Sequence, residues 1–206
     1  QLVVAIDVPV SVGVAVGVIG SAGGADASAP GREVQRVDGV VVIEVARQRC
    51  PDLSFYQAAM VDFDLGKQYD ILTCLFSAVG YARTADRLDS TLRSFARHLR
   101  SGGVALVEPW IAPEDFHDGH LGAVNVDQPE LKITRMNLSS VRDGISTLYF
   151  HYLVGTPAGV TYFTENHELG LFTDAQYRAA FAAAGLETHF DKYGLNGRGL
   201  YIGIKP

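Results

Sequence analysis

From Ile43 to the end of the chain, apolar and polar positions repeat first with a mixed helix-and-strand rhythm and then with strict alternation. "IEVARQRC" predicts a short helix, and after Pro51 the segment Leu53–Met60 predicts a strand. The unbroken apolar run Ile71–Phe76 suits a strand covered on both faces in a parallel sheet. Thr84 stands where a helix cap belongs, and Leu88, Leu92, Phe95 and Leu99 follow it as one apolar stripe. Ser101-Gly102-Gly103 is expected to end that helix, because glycine accepts a left-handed backbone. "VALVEPW" then reads as another buried strand. Strand and helix in alternation predict a doubly wound α/β fold.

After Trp110 the period shortens to two. "LKITRMNLSS", "ISTLYFHYLV" and "VTYFTENHELGLF" alternate apolar and polar positions and are separated by turn-forming "RDG" and "GTPAG". They predict a three-stranded antiparallel insert over about residues 125–170. Thr173 is the predicted cap of "DAQYRAAFAAAGL", with Tyr177, Phe181 and Ala184 facing inward. "ETHFDKY" and "RGLYIGIKP" predict a closing pair of strands. No internal repeat is present, and residues 1–206 read as a single domain.

The first 42 residues break this order. Valine, glycine and alanine dominate them, "SAGGADASAPGRE" reads as loop, and no helical period separates the first two strand-like runs. A parallel crossover needs a connection long enough to hold a helix, so pattern and topology disagree here. "IDVPVSVGVAVG", Ile6–Gly17, reaches Asp7 and turns into a loop where an α/β enzyme ordinarily sets close-spaced glycines. Ser11 and valines stand in their place. The apolar start Leu2–Ile19 makes a poor membrane span, since it holds Asp7 and Pro9, and no basic segment precedes it as in a signal peptide.

Composition narrows the reading. Of 206 residues 48% are hydrophobic and 19% charged, which excludes wholesale disorder. The net charge of −6, without a dense Lys/Arg cluster, argues against a nucleic-acid partner. Cys50 and Cys74 lack metal-ligand spacing and fit a reduced, cytoplasmic setting.

The segments "AMVDFDLGKQYD", "CLFSAVGYA", "GGVALVEPWIAPEDF", "NHELGLFTDAQYRAAFAAAGL" and "NGRGLYIG" occur in an order and spacing that resemble one family. It is the S-adenosylmethionine-dependent N-methyltransferases of amino-sugar biosynthesis, and most closely those that dimethylate the 3-amino group of dTDP-linked deoxyhexoses for macrolide antibiotics. The resemblance covers roughly four-fifths of the chain. It implies a Rossmann-like class I methyltransferase fold with an antiparallel β insert, S-adenosyl-L-methionine as cofactor, a nucleotide-linked sugar as substrate, and a homodimer. A non-catalytic homologue, or a methyltransferase for another small natural product, are the alternative readings.

Four departures touch the cofactor side. Family members carry a loop of the type D-V-A-C-G-T-G; "DVPVSVG" laid on it keeps Asp7, Val8 and Gly13 and puts Ser11 at a central glycine. The acid expected to grip the ribose at the second strand's end is replaced by Val41 or Val42, with Glu44 close behind. Ala59 stands where the family usually has Asp. The segment that covers the cofactor in the family has no counterpart here. One cause, a truncated or frame-shifted reading of the first 42 residues, would account for three of these, and sequencing the coding DNA tests it.

Methyl transfer from a sulfonium to an amine is an in-line displacement whose main demand is alignment. Positioning groups are therefore sought rather than a catalytic dyad. The resemblance puts Ala59, Met60, Asp62, Leu75, Phe76 and Ser77, with Asp7 and Gly13, beside the methyl donor; core packing, or a turn cap for Asp62, is the plainer role. Tyr81 falls at the amine, where its hydroxyl would orient the nucleophile or take its proton. Glu108 and Trp110, ending the fifth family strand, fall at the sugar. The resemblance implies that His167 is a sugar or phosphate contact, where the plainer role is a satisfied strand-face histidine, and that Arg198, between flexible glycines, forks onto the pyrophosphate, where the plainer role is a surface ion pair. His151 lies one strand before His167, but no further ligand at suitable spacing joins them, so no metal is expected.

Overall fold

The computed structural model describes residues 2–7, 14–19, 47–48, 51 and 54–206. Gly13, Ser11, Val41, Val42, Glu44 and most of "IEVARQRC" lie outside the described residues. Among the described residues seven strands form one sheet: β1 (Leu2–Asp7), β2 (Val14–Ile19), β3 (Ser54–Ala58), β4 (Tyr69–Cys74), β5 (Leu99–Val107), β10 (Glu187–Asp191) and β11 (Leu200–Ile204), in the order β10-β11-β5-β4-β2-β1-β3. β2, β4 and β5 run parallel, while β1 is antiparallel to both β2 and β3. β3 therefore points the same way as β4, and β1 is reversed. β11, antiparallel to β5 and to β10, is the other reversed strand.

The helices α1 (Ala85–Arg97) and α2 (Asp174–Ala183) pack against each other and share one core with the sheet. Leu88, Leu92 and Phe95 of α1 meet Leu72, Cys74, Ala105 and Val107 of the strands and Tyr177, Ala180 and Phe181 of α2. These side chains are buried, as the 3.6-residue stripe requires.

Helix α1 ends earlier than the glycines suggest. His98 caps it, its Nδ1 donating to the Ser94 carbonyl at 2.7 Å while Nε2 accepts the Leu65 N–H at 3.0 Å. Phe63 stacks on the ring at 4.4 Å. Leu99 belongs to β5, and Ser101-Gly102-Gly103 makes a bulge inside that strand, between the pairs Tyr69–Leu99 and Ile71–Val104. Gly102 has φ +77, and a Cβ on Gly103 would meet the Arg100 and Tyr69 carbonyls at 2.9 and 3.0 Å.

The insert has four strands, not three: β6 (Leu121–Gln128), β7 (Leu131–Arg142), β8 (Ile145–Thr156) and β9 (Gly159–Gly170), joined as an antiparallel meander. "LGAVNVDQ" is weak in strand-forming residues and exposed at most positions. Eight backbone pairings with β7 hold it, a contribution that side-chain patterning does not report. Thr173 makes a full capping box with Gln176 at the start of α2.

Candidate active site

Ligands in open α/β sheets collect beyond the carboxyl ends of the strands. At the end of β4 the chain enters a turn in which Phe76 and Ser77 both take left-handed backbone, φ +53 and +58. Two such residues in succession cost of order 1 kcal/mol each, so neighbours must hold them. Glu108, after β5 and 1% exposed, accepts the Phe76 N–H on Oε2 at 2.6 Å. Ser77 donates its hydroxyl to the Pro109 carbonyl at 2.7 Å. The turn leaves the Phe76 ring 85% exposed. Glu108 thus braces the turn with one oxygen, and its Oε1 is buried without a partner among the described residues.

A 3₁₀ turn, Ala78–Ala82, follows and carries Tyr81. Gly80 lets this turn press on the insert, because a Cβ there would meet Leu169 at 3.0 Å and Trp110 at 3.1 Å. Tyr81 reaches β9, its hydroxyl 2.5 Å from His167 Nδ1. His167 Nε2 lies 3.4 Å from a Glu165 carboxylate oxygen. Burial, followed by the Glu165 charge, pushes the Tyr81 hydroxyl up to about 12. The hydrogen bond from His167 is the main reason the Glu165 carboxyl sits below its ordinary range, outweighing partial burial.

Trp110 and Arg198 complete the grouping. The Trp110 indole N–H donates to Ser146 Oγ on β8 at 2.9 Å, which in turn donates to the Leu169 carbonyl. The Arg198 guanidinium lies 5.4 Å from the centre of the Trp110 ring and donates to Ser77 Oγ at 3.0 Å. Arg198 precedes β11, whose Tyr201 pairs with Val107, so it too stands at the carboxyl end of β5. Of the two glycines beside it, Gly197 has open space around it and Gly199 is tightly packed. A Cβ on Gly199, φ +85, would strike the Phe190 ring at 2.4 Å, and one on Gly194 would strike the Gly199 backbone at 2.5 Å. They permit a tight loop that fixes the arginine. Beside it opens a cleft of about 530 Å³, lined by Trp110, Phe172, Tyr177, Phe190, Tyr201 and the charged Glu114, Asp115, Asp174, Arg178 and Arg198.

Phe76, Ser77, Tyr81, Glu108, Trp110, His167 and Arg198 thus come together from the ends of β4 and β5, the loop before β11 and one face of the insert. Leu75 begins the β4 turn, its carbonyl accepting the Ala78 N–H, and Ala59 follows β3 at the same sheet edge. Others fall elsewhere. Met60 is 1% exposed within the core, which leaves only its backbone to a ligand. Asp62 closes a turn onto the Ala59 carbonyl and pairs with Arg97 at 3.3 Å on the exposed surface. Asp7 is at the wrong end of the sheet, because β1 is reversed: it pairs with Val14 and Ser54, the first residues of β2 and β3. His151 and His167 project from opposite faces of β8 and β9, since His167 pairs with Leu148 rather than an odd-numbered residue, and they cannot share an ion.

Glu165, Tyr152 and Arg135 escaped sequence reasoning. Arg135 pairs with Tyr152 across β7 and β8, and Glu165 is two residues before His167, on its face. Tyr152 hydrogen-bonds both the Glu165 carboxylate and Arg135, and the guanidinium covers Phe150 at 4.9 Å. The available signal was the period-two spacing in "ENHE".

No protein-family model matches the chain. Curated relatives do. The dTDP-3-amino-3,4,6-trideoxy-alpha-D-glucopyranose N,N-dimethyltransferase of Streptomyces venezuelae is 42% identical over 161 residues, 77% of this chain and 68% of the relative. The chain belongs to the sugar N,N-dimethyltransferase family. The dTDP-3-amino-3,6-dideoxy-alpha-D-glucopyranose N,N-dimethyltransferase of Streptomyces fradiae is 39% identical, over 79% of the chain and 64% of the relative. The chain therefore spans about two thirds of the length of these curated relatives. Among solved structures, Streptomyces venezuelae DesVI superposes with a TM-score of 0.76 at 38% identity, covering 80% of this chain and 70% of that one. CalS10, an amino pentose methyltransferase of Micromonospora echinaspora solved with S-adenosylmethionine bound, gives 0.72 at 33% identity, covering 82% and 71%. The class I methyltransferase fold and its enzyme class follow from these likenesses.

Proposed function

We propose that this chain uses S-adenosyl-L-methionine to methylate the amino group of a nucleotide-linked deoxy-amino sugar in antibiotic biosynthesis. The observation that carries the reading is Arg198, held on Ser77 and Trp110 so that one fixed cation stands at the carboxyl end of β5. Its remaining N–H groups suit a pyrophosphate, and the aromatic cleft beside it suits the nucleotide. The described residues fit the methyl donor: the braced turn at Phe76 and Ser77 offers an exposed aromatic face, and the Ala59–Asp62 turn offers backbone at the end of β3. When bound, the donor supplies a methyl group on a sulfonium. The chain's part is to align the amine, exclude water and manage its proton.

Titration calorimetry with S-adenosylhomocysteine, and separately with a dTDP-sugar, tests both halves of the site. Micromolar binding of each is expected. Sugar-nucleotide binding without the cofactor analogue would instead favour a non-catalytic homologue.

A homodimer fits the outer face of the insert. Leu121, Met136, Leu138, Tyr149, Leu153, Val160 and Tyr162 are exposed together on that face, opposite the one bearing His167. Lys132 pairs with Asp127 on it, and Glu168 pairs with Arg83 beside it. A large apolar sheet face with neutralised edges suits a second copy of itself. Cys74, a free and buried thiol, suits a reducing cytoplasm, and among the described residues no helix is long and apolar enough to cross a membrane.

A further inference from the structure

Two methyl groups on one nitrogen require a proton to leave between the two transfers. An aliphatic amine is mostly protonated near neutral pH, and after one transfer it is again an ammonium without a lone pair. We infer that Tyr81 and His167 form the acceptor of that proton and that Glu165, anchored by Tyr152 and Arg135, is the positioning residue that makes it work. The inference rests on the amino-sugar reading and names the residues that let the same nitrogen react twice.

The geometry fixes the direction of transfer. His167 Nε2 faces the Glu165 carboxylate at 3.4 Å and so carries a hydrogen. In a neutral ring Nδ1 is then the acceptor, and the Tyr81 hydroxyl, 2.5 Å away, donates to it. A lone pair on the Tyr81 oxygen remains for the amine. The substrate ammonium gives one N–H proton to the Tyr81 oxygen while the Tyr81 hydroxyl proton moves to His167 Nδ1. The amine regains its lone pair, Tyr81 ends neutral, and the charge rests on an imidazolium whose Nε2–H points at Glu165. The proton returns by the same path to water once the product has left.

Every charged or titratable group packed around the imidazole suits this task. Tyr81 faces it from the 3₁₀ turn and Glu165 from β9 itself. Tyr152 donates to the Glu165 carboxylate from β8 and Arg135 donates to Tyr152 from β7. Phe150 closes the remaining side, edge-on at 5.3 Å. One net carboxylate charge thus faces the ring, with the guanidinium one residue farther off.

The test is product analysis of the wild-type chain, Glu165→Gln and Glu165→Asp with a primary amino-sugar nucleotide and S-adenosylmethionine across pH. For E165Q the second methylation slows by roughly tenfold to a hundredfold relative to the first. Monomethyl product accumulates near neutral pH, the defect fades as pH rises, and E165D recovers part of the rate. Unchanged product ratios and pH profile in E165Q would overturn the relay while leaving the enzyme reading intact. Failure of the wild-type chain to methylate any amino-sugar nucleotide would overturn the reading beneath it. Imidazole nitrogen shifts by NMR on the free protein give a readout that needs no turnover. They should report His167 protonated on Nε2 in the wild type, and the Nδ1–H form would overturn the relay.

Discussion

At the scale of single residues, the site depends on side chains whose polar atoms are already committed. Arg198 stacks on Trp110 and donates to Ser77, so a lysine cannot replace it: an ammonium offers a point charge and no planar face. In Arg198→Lys, KM for the sugar nucleotide should rise by about tenfold, with a smaller change in kcat. Steady-state kinetics at fixed methyl donor checks this. Arg198, Tyr81 and His167 lie in segments that are distinctive in the sequence. Glu165 and Arg135 do not stand out there, because an acid and a base inside alternating strands look like any solvated face until the register shows what lies opposite. Met60 shows a related ambiguity, since an apolar residue at a strand end serves equally as ligand wall or core, and its side chain is buried.

At the scale of elements, the two described helices start differently. Thr173 Oγ1 accepts the Gln176 N–H and Gln176 answers with a bond to the Thr173 N–H, whereas Thr84 makes no side-chain cap bond. Thr173→Ala should cost roughly 1 kcal/mol in urea unfolding, and Thr84→Ala within about 0.5 kcal/mol of nothing. The sequence places the same residue type at both positions, but Gln176 stands three residues after Thr173 where Arg87 follows Thr84, and only the glutamine can accept the cap N–H. The loop before β11 gives a second case. Gly199→Ala forces a Cβ against Phe190 at a left-handed backbone, and it should weaken nucleotide binding by displacing Arg198. Calorimetry with a dTDP-sugar would show it.

For the whole molecule, pH sets two boundaries. Glu165 and Asp174 titrate below their ordinary values of 4.5 and 3.8, held down chiefly by hydrogen bonds from His167 and Arg178. Their stabilisation is present above those values and is lost as pH falls through the lower, folded-state ones. Tyr81 and Cys74 are raised by burial from 10.0 and 9.0 to about 12, and Tyr177 and Tyr201 are raised for the same first reason. Their neutral forms stabilise the fold below the ordinary values, and that contribution is lost progressively as pH climbs above them. Thermal melts across pH should show both losses, with phenolate absorbance appearing together with unfolding on the alkaline side. Association belongs at this scale too. Leu138→Lys, set between Leu121 and Tyr149 on the outer face of the insert, should yield a folded monomer in sedimentation while the wild type sediments as a dimer.

The sequence by itself determined the elements whose periodicity is strong: the Leu88-Leu92-Phe95 stripe, the capped helix after Thr173, and the long alternating strands of the insert. Local patterns suffice there, because burial of one face is what selects the period. Tertiary structure alone decided the rest. It reversed β1, so that Asp7 pairs at the amino ends of its neighbours. It moved the end of α1 to His98, whose ring is bonded across to Leu65. It added β6 through backbone pairing and brought Glu165, from the far side of the chain, within reach of Tyr81 through His167. The His98–Leu65 and Tyr81–His167 bonds join segments distant in sequence, and β1 and β6 are set by backbone pairing, neither of which a local pattern of side chains encodes.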